Sequence, residues 1–436
     1  MTNVVTPVEA AADERSSLSR RISVDSLWII AGYGVTSGAG FIFWIVAARL
    51  VEPAQLGFET AVFSAITAAA GIAASGIGNA LLVFLPVTGA ARAGVLRLGW
   101  RTGAIVSAVT GVIAGVLVVI LLPSDGSPLL TVVLITAATM IWSFFVLKDP
   151  VLTALGSARS TLLVNGPVNL AKLALIPVLV GLAGGAANPV VLSALIPAIA
   201  ACALVYVVVI PRLMRTTTAR SAAQVSEWAT TGRTTFLSFV LRDGTANGLY
   251  LGLTLALPFI VTALVGSSEG AVFALCFQVS LVLDLVVIAV GSSLATHSAG
   301  DHPFGGRVAM QVWLKVLAVV ILGAIALVLA TPVILGLLGD YYAASDGGTV
   351  IAILAIASVF RTSYEIWTAS LRARRKTTTV LVCGAAYVAV LVPTVIILGT
   401  SLGVIGAALA LLIVTIGLSI AGIIGIVRTS TTEATA

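Results

Sequence analysis

Polar and hydrophobic positions in this chain separate on the scale of whole segments, not of single helix turns. Apolar runs recur about twelve times, each about 20 residues long, the length an α-helix needs to cross a bilayer. They fall at 26–49, 57–85, 98–122, 129–154, 161–183, 189–211, 234–265, 270–296, 312–337, 348–371, 379–399 and 402–427. Charge is scarce within the runs and sorted by sign between them. Basic residues fill the N-terminal tail (Arg15, Arg20, Arg21) and alternate connections (Arg92, Arg97, Arg101; Arg159; Arg212, Arg215, Arg220, Arg233; Arg307, Lys315; Arg372, Arg374, Arg375, Lys376), and Arg428 follows the last run. The opposite connections carry Glu52, Asp125, Glu269, Asp340 and Asp346, with Arg49 the one base near that side. Lys and Arg stay on the cytoplasmic side of membrane proteins, so an even number of spans is expected, with both termini cytoplasmic. The pattern predicts an all-α, multi-pass protein of the inner or plasma membrane.

Composition narrows the function. Hydrophobic residues make up 59% of the chain and charged residues 9%, against about 25% charged in soluble domains. The basic balance, +6 at neutral pH, is that of loops facing anionic headgroups and membrane lipids, and no nucleic-acid partner is expected. Trp28, Trp100, Trp228 and Trp313 lie at predicted cytoplasmic ends, where indole rings favour the headgroup boundary. The charged tail before a full-length first span is not the pattern of a cleavable signal peptide, so that span is expected to be retained. Short connections leave no room for a soluble catalytic domain, and the absence of G-x-x-x-x-G-K-[ST] excludes a self-contained ATPase. No enzymatic activity and no cofactor are expected. Cys202, Cys276 and Cys383 sit in separate apolar runs and read as packing residues. His297 and His302 beside Asp301 have no further ligand cluster, so no metal site is expected.

The longest connection, 212–233, falls at the midpoint and divides six runs from six. Leu50-Val51, Gly57 and Ala61-Val62-Phe63 recur as Leu264-Val265, Gly270 and Ala271-Val272-Phe273. Thr153-Ala154 and Ala158-Arg159 recur as Thr368-Ala369 and Ala373-Arg374, and Arg215 as Arg428. Three separate helix pairs thus share an offset of roughly 213 residues, the mark of an internal repeat. Six spans per half is even, so the halves enter the membrane in the same sense, and a cleft between two lobes follows. The expected organisation is a tail at 1–25, a first six-helix lobe at 26–215, a linker at 216–233, a second lobe at 234–428 and a tail at 429–436.

Eight ionisable residues interrupt the apolar runs: Lys148, Asp149, Lys172, Arg242, Asp243, Asp284, Arg361 and Glu365. A charge at the bilayer centre costs about 2.5 kcal/mol or more, so these side chains should face protein or water. One reading is internal pairing; Arg361 and Glu365 stand four apart on a helix and suit each other. The other is a cationic cavity for a phosphate-bearing substrate, with Arg242, Lys172, Lys148 and Arg361 as its bases. Successive helix residues point about 100° apart, so one member of each doublet, Lys148-Asp149 and Arg242-Asp243, would face the cleft while its neighbour braces another helix. Asn165, Asn169 and Lys172 form a polar stripe on the fifth run, flanked by Pro167 and Pro177, which should bend or open it. Asp284 suits either ion coupling or a salt bridge, and Asp243, Glu365 and Asp149 share that double reading.

Particular residues also carry a family resemblance. Ser26-Leu27-Trp28, Ala47-Ala48-Arg49-Leu50 before a short loop and Gly57, and Gly76-Ile77-Gly78-Asn79-Ala80-Leu81 with Phe84-Leu85-Pro86 resemble the first two helices of polysaccharide (O-antigen-type) flippases of the multidrug/oligosaccharidyl-lipid/polysaccharide exporter superfamily. Asp149 to Lys172 resembles that family's fourth and fifth helices, and Ala369–Lys376 with Gly403 and Gly406-Ala407-Ala408 its tenth to twelfth. The resemblance implies two six-helix bundles arranged as a V. Its implied cargo is a polyprenyl-pyrophosphate-linked oligosaccharide, moved from the cytoplasmic to the outer leaflet by alternating access for cell-surface polysaccharide synthesis. Arg242 best matches a pyrophosphate-binding residue; its equivalent in the first half falls near Ile29, which is apolar. A polysaccharide polymerase or glycosyltransferase is the implied protein partner. Two alternatives stand beside this reading: a cation-coupled multidrug exporter on the same scaffold, and a non-transporting membrane scaffold of a polysaccharide assembly complex.

Overall fold

A computed structural model describes residues 38–86, 88, 91–122, 126–183, 188–216, 232–297, 306–373 and 377–434. The predicted tail 1–25, the start of the first span with Trp28, most of the linker with Trp228, and the loop carrying Asp301 and His302 lie outside these residues. Every regular element among the described residues is helical. The first half contributes α1 (Gly38–Leu50), α2 (Pro53–Phe84), α3 (Arg92–Leu121), α4 (Pro128–Ala154), α5 (Ala158–Ala183) and α6 (Pro189–Leu204). After α6 the chain runs on through a π-helical turn, Val205–Val209, to Thr216. The second half contributes α7 (Arg233–Val265), α8 (Ser267–His297), α9 (Gly306–Leu338) and α10 (Gly347–Ala373). The helical stretch Thr377–Ala434 is divided at Gly403, whose φ of 63° breaks it into α11 before and α12 after.

Local sequence sets these boundaries. Pro53, Pro128 and Pro189 open α2, α4 and α6, where a fixed φ suits the first turn and the missing N–H is not needed. At the end of α4, Gly156 takes a φ of 78°. That lets Gly156 N–H donate to Thr153 O and Ser157 N–H to Leu152 O, each at 2.9 Å, satisfying carbonyls the helix leaves open. Pro167 and Pro177 do not open α5, which remains one helix across both. In a membrane helix, neighbouring groups can satisfy the backbone that a proline frees.

The apolar surface points outward. Leu129, Leu182, Leu322 and Leu329 are each at least 68% exposed, as a lipid-solvated band requires. α2 and α8, equivalent under the repeat offset, lie at the centre, each with 67% of its most apolar window buried. The halves meet mainly along α2 and α7. Near the basic face Phe84 packs on Phe236 and Phe239, ring centroids 5.8 Å apart in both pairs. Further along, a Cβ on Gly76 would lie 2.3 Å from the Gly244 Cα, so the two backbones touch where side chains would hold them apart. Towards the acidic face, Phe43, Trp44 and Ala47 of α1 join Leu257 and Val261 of α7 and Phe273 and Phe277 of α8 in one core. Arg49 closes the same face: its Nε donates to Leu337 O at 2.8 Å and its Nη2 to Gly336 O at 2.6 Å. These carbonyls belong to the end of α9, where a cation suits both the unpaired oxygens and the helix dipole.

Candidate functional site

The intramembrane charges do not gather at one point; the helices distribute them into separate groups. In the first, Lys148 and Asp149 of α4 pair with each other, Nζ to Oδ1 at 3.0 Å. The sequence expectation that these neighbours diverge is corrected here. The lysine stem folds back along its own helix, donating also to Phe145 O at 2.9 Å and lying 3.6 Å from the Phe145 ring centroid. Asn165 of α5 donates to the other Asp149 oxygen at 3.4 Å, and Asn169 donates to the Asn165 backbone carbonyl at 2.9 Å. The Asn165-Asn169 stripe therefore works partly within its own helix. Lys148 is fully buried, and an ion pair there needs these extra bonds to offset desolvation.

The second group lies between the halves. Asp243 of α7 is buried and accepts from Asn79 Nδ2 of α2 at 2.7 Å, while its neighbour Arg242 is exposed. Here the doublet diverges as helix geometry predicts.

The third group is internal to the second half. Arg361 of α10 and Asp284 of α8 form a direct ion pair, both about nine-tenths buried or more. Arg361 thus pairs across helices and not with Glu365 one turn away, because Asp284 projects from a helix packed directly against α10. Glu365 is half-buried and forms no ion pair among the described residues. Tyr250 of α7 stands beside this pair, with ring centroids 4.8 Å from Tyr387 and 5.3 Å from Tyr364. Tyr387 and Thr254 share a hydroxyl contact of 3.0 Å.

Lys172 stands apart. Its ammonium lies over the ring of Phe43 at 3.7 Å from the centroid, with Trp44 at 5.4 Å and Phe63 at 5.9 Å. It forms no ion pair among the described residues. Aromatic faces stabilise a cation by about 0.5–2 kcal/mol, well short of a full counter-charge. Lys172 is halfway along α5, about 21 Å from its start, and so near mid-membrane.

One acidic residue not among the predicted intramembrane charges has a clear structural role. Glu59 is fully buried in α2. Its carboxylate accepts from Val190 N–H at 2.7 Å, Val191 N–H at 3.3 Å and Gln55 Nε2 at 3.0 Å. It caps the start of α6, whose own Asn188 supplies no side-chain cap. The aromatic cage of Lys172 was equally hidden, because Phe43, Trp44 and Phe63 are ordinary residues of apolar runs until α1, α2 and α5 come together. No cluster of three or more His, Cys, Asp or Glu suited to a metal ion occurs among the described residues.

Membrane-length helices that hold their charges inside the protein form a fold shared with known transport proteins. The chain is similar in structure to "Lipid II flippase MurJ, inward closed conformation", with 12% identity, 94% of this chain and 90% of that one covered and a TM-score of 0.67. It is similar to a point mutant of the Vibrio cholerae MATE transporter VcmN at 15% identity, with 96% and 98% covered and a TM-score of 0.63. An inward-facing multidrug-resistance MATE transporter of the MOP superfamily matches at 14% identity, with 93% and 96% covered and a TM-score of 0.61. No family model and no curated protein matches the sequence. At these identities the likeness establishes the fold, an all-α membrane protein of the MATE-like type.

Proposed function

We propose that the chain is a flippase that moves a polyprenyl-pyrophosphate-linked oligosaccharide from the cytoplasmic to the outer leaflet, using the MATE-like fold for alternating access. The halves 26–215 and 234–428 act as the two moving lobes, with the basic face and both termini cytoplasmic. Lys172 is the observation that carries this reading. A cation at mid-membrane with aromatic neighbours and no carboxylate among the described residues has the most to gain from an anionic headgroup. Arg242, exposed beside the contact between α2 and α7, is the second proposed phosphate ligand. Lys148 and Arg361 enter only if their pairs with Asp149 and Asp284 open, and Asn165 and Asn169 supply hydrogen bonds to sugar hydroxyls. Asp149, Asp243 and Asp284 serve as partners that hold bases and helices in place. An inside-negative potential favours outward passage of an anionic head by about 2.3 kcal/mol per charge per 100 mV.

One observation favours a second reading, a cation-coupled exporter: Glu365 is a half-buried acid with no ion-pair partner among the described residues. A single reconstitution separates the two. In proteoliposomes the flippase reading expects passage of a lipid-linked oligosaccharide, reduced at least about tenfold by Lys172→Gln and unaffected by Glu365→Gln. Efflux of a cationic dye under an imposed proton or sodium gradient, abolished by Glu365→Gln, with no lipid passage, would establish the exporter instead.

A further inference from the structure

A cavity lies away from these charged groups, at the basic face, between α3 of the first half and the start of α7 of the second. It has a volume of about 580 Å³ and is lined by Arg97, Arg101 and Arg233 together with Leu98, Ile105 and Leu237. None of the three arginines forms an ion pair among the described residues; Arg97 only touches its own helix, Nε to Ala93 O at 3.3 Å. Arg97 and Arg101 are four apart and share one face of α3, and Arg233 opens α7 opposite them. Below the arginines the lining turns apolar: Ile105 is 65% exposed and Leu237 37%, and the same strip of α3 continues with Val109 at 55% and Val112 at 46%. α3 has 30 residues, about 45 Å of helix against about 30 Å of hydrocarbon. Arg97 and Arg101 lie within its first ~14 Å, inside the roughly 15 Å by which the helix exceeds the hydrocarbon.

We infer that this cavity binds the headgroup of an anionic phospholipid of the surrounding leaflet, with an acyl chain along Ile105 and the outer strip of α3. The arginines provide planar, forked donors suited to a phosphodiester. The apolar strip directly beneath them distinguishes a lipid from a free anion. Because the lining comes from both halves of the chain, an occupant bridges them, so the same lipid would bias how α3 and α7 sit against each other. The inference requires a membrane-spanning chain but not the cargo proposed above.

The test is native mass spectrometry of the detergent-purified full chain titrated with phosphatidylglycerol, phosphatidylcholine or inorganic phosphate. Retained phosphatidylglycerol but not phosphatidylcholine is expected. Arg101→Gln with Arg233→Gln should lower retention about tenfold, while Arg215→Gln with Lys315→Gln, which removes the same charge from the same face elsewhere, should change it less than about twofold. Arg101→Lys with Arg233→Lys, a milder change should the glutamine pair fail to fold, keeps the charge but loses the fork and should fall between. Equal losses in the two glutamine pairs would reduce the effect to general surface charge and overturn the site. Equal retention of phosphatidylcholine, or displacement of the lipid by millimolar inorganic phosphate, would overturn the assignment to an anionic lipid.

Discussion

At the residue scale, the buried charges divide by whether a partner reaches them. Arg361 and Asp284 neutralise each other in a region with little water, so removing one leaves the other stranded. Arg361→Met should lower stability by about 3–5 kcal/mol, and adding Asp284→Leu should recover most of it. Thermal unfolding of the detergent-solubilised variants reads this directly, and a double variant no more stable than the single would show that the pair is not the relevant contact. Glu59 is a different case, since it satisfies two backbone donors. Glu59→Ala should cost about 1–3 kcal/mol through unpaired Val190 and Val191 N–H groups, with Glu59→Gln intermediate. Lys172 has no comparable partner to lose, so Lys172→Gln should leave the unfolding temperature nearly unchanged or raise it. That outcome would separate a binding role from a structural one.

At the element scale, the close passage of α2 over α7 depends on missing side chains. A Cβ on Gly76 meets Gly244 backbone at 2.3 Å, and nothing flexible stands there to yield. Gly76→Leu should push the helices apart, costing about 1–3 kcal/mol as overpacking does. A crosslink made with a short homobifunctional thiol reagent between cysteines placed at Asn79 and Asp243, whose side chains meet at 2.7 Å in the unmodified chain, provides the readout. It should form readily with Gly76 present and poorly with Gly76→Leu; equal yields would show that α2 accommodates the bulk by another route.

At the scale of the whole molecule, Arg49 ties α1 of the first half to the end of α9 of the second. Without it, the acidic face keeps its apolar core but loses two charged hydrogen bonds across the halves. Cys276 is 1% exposed and about 13 Å along α8 from that face, so its thiol reports whether the face opens. In a background carrying Cys202→Ala and Cys383→Ala, Arg49→Ala should raise labelling of Cys276 by a membrane-impermeant maleimide about tenfold or more. Unchanged labelling would show that the apolar core alone keeps the face shut.

The chain by itself determined the spans, because the bilayer imposes a local rule: a membrane-crossing helix must carry about 20 apolar residues wherever it falls. Gly403, Gly156 and the opening prolines likewise mark boundaries through their own backbone restrictions, so the predicted runs 129–154, 161–183 and 234–265 lie within a few residues of α4, α5 and α7. The intramembrane charges were visible for the same reason, as exceptions to an apolar background. Their pairing was not visible. Arg361 had a good candidate at i+4 and took Asp284 from another helix. Lys148 took the neighbour that average helix geometry points away from it, because a lysine stem is long enough to fold back. Asn79, Glu59 and the aromatic cage of Lys172 emerged only when α2 met α7, α6 and α1. Which faces meet is a property of the packed bundle, distributed over small residues such as Gly76 and Gly244, and no local window of sequence contains it. Span and boundary are set by each segment against its solvent; partner and cavity are set by segments against each other, and the tertiary structure alone decided those.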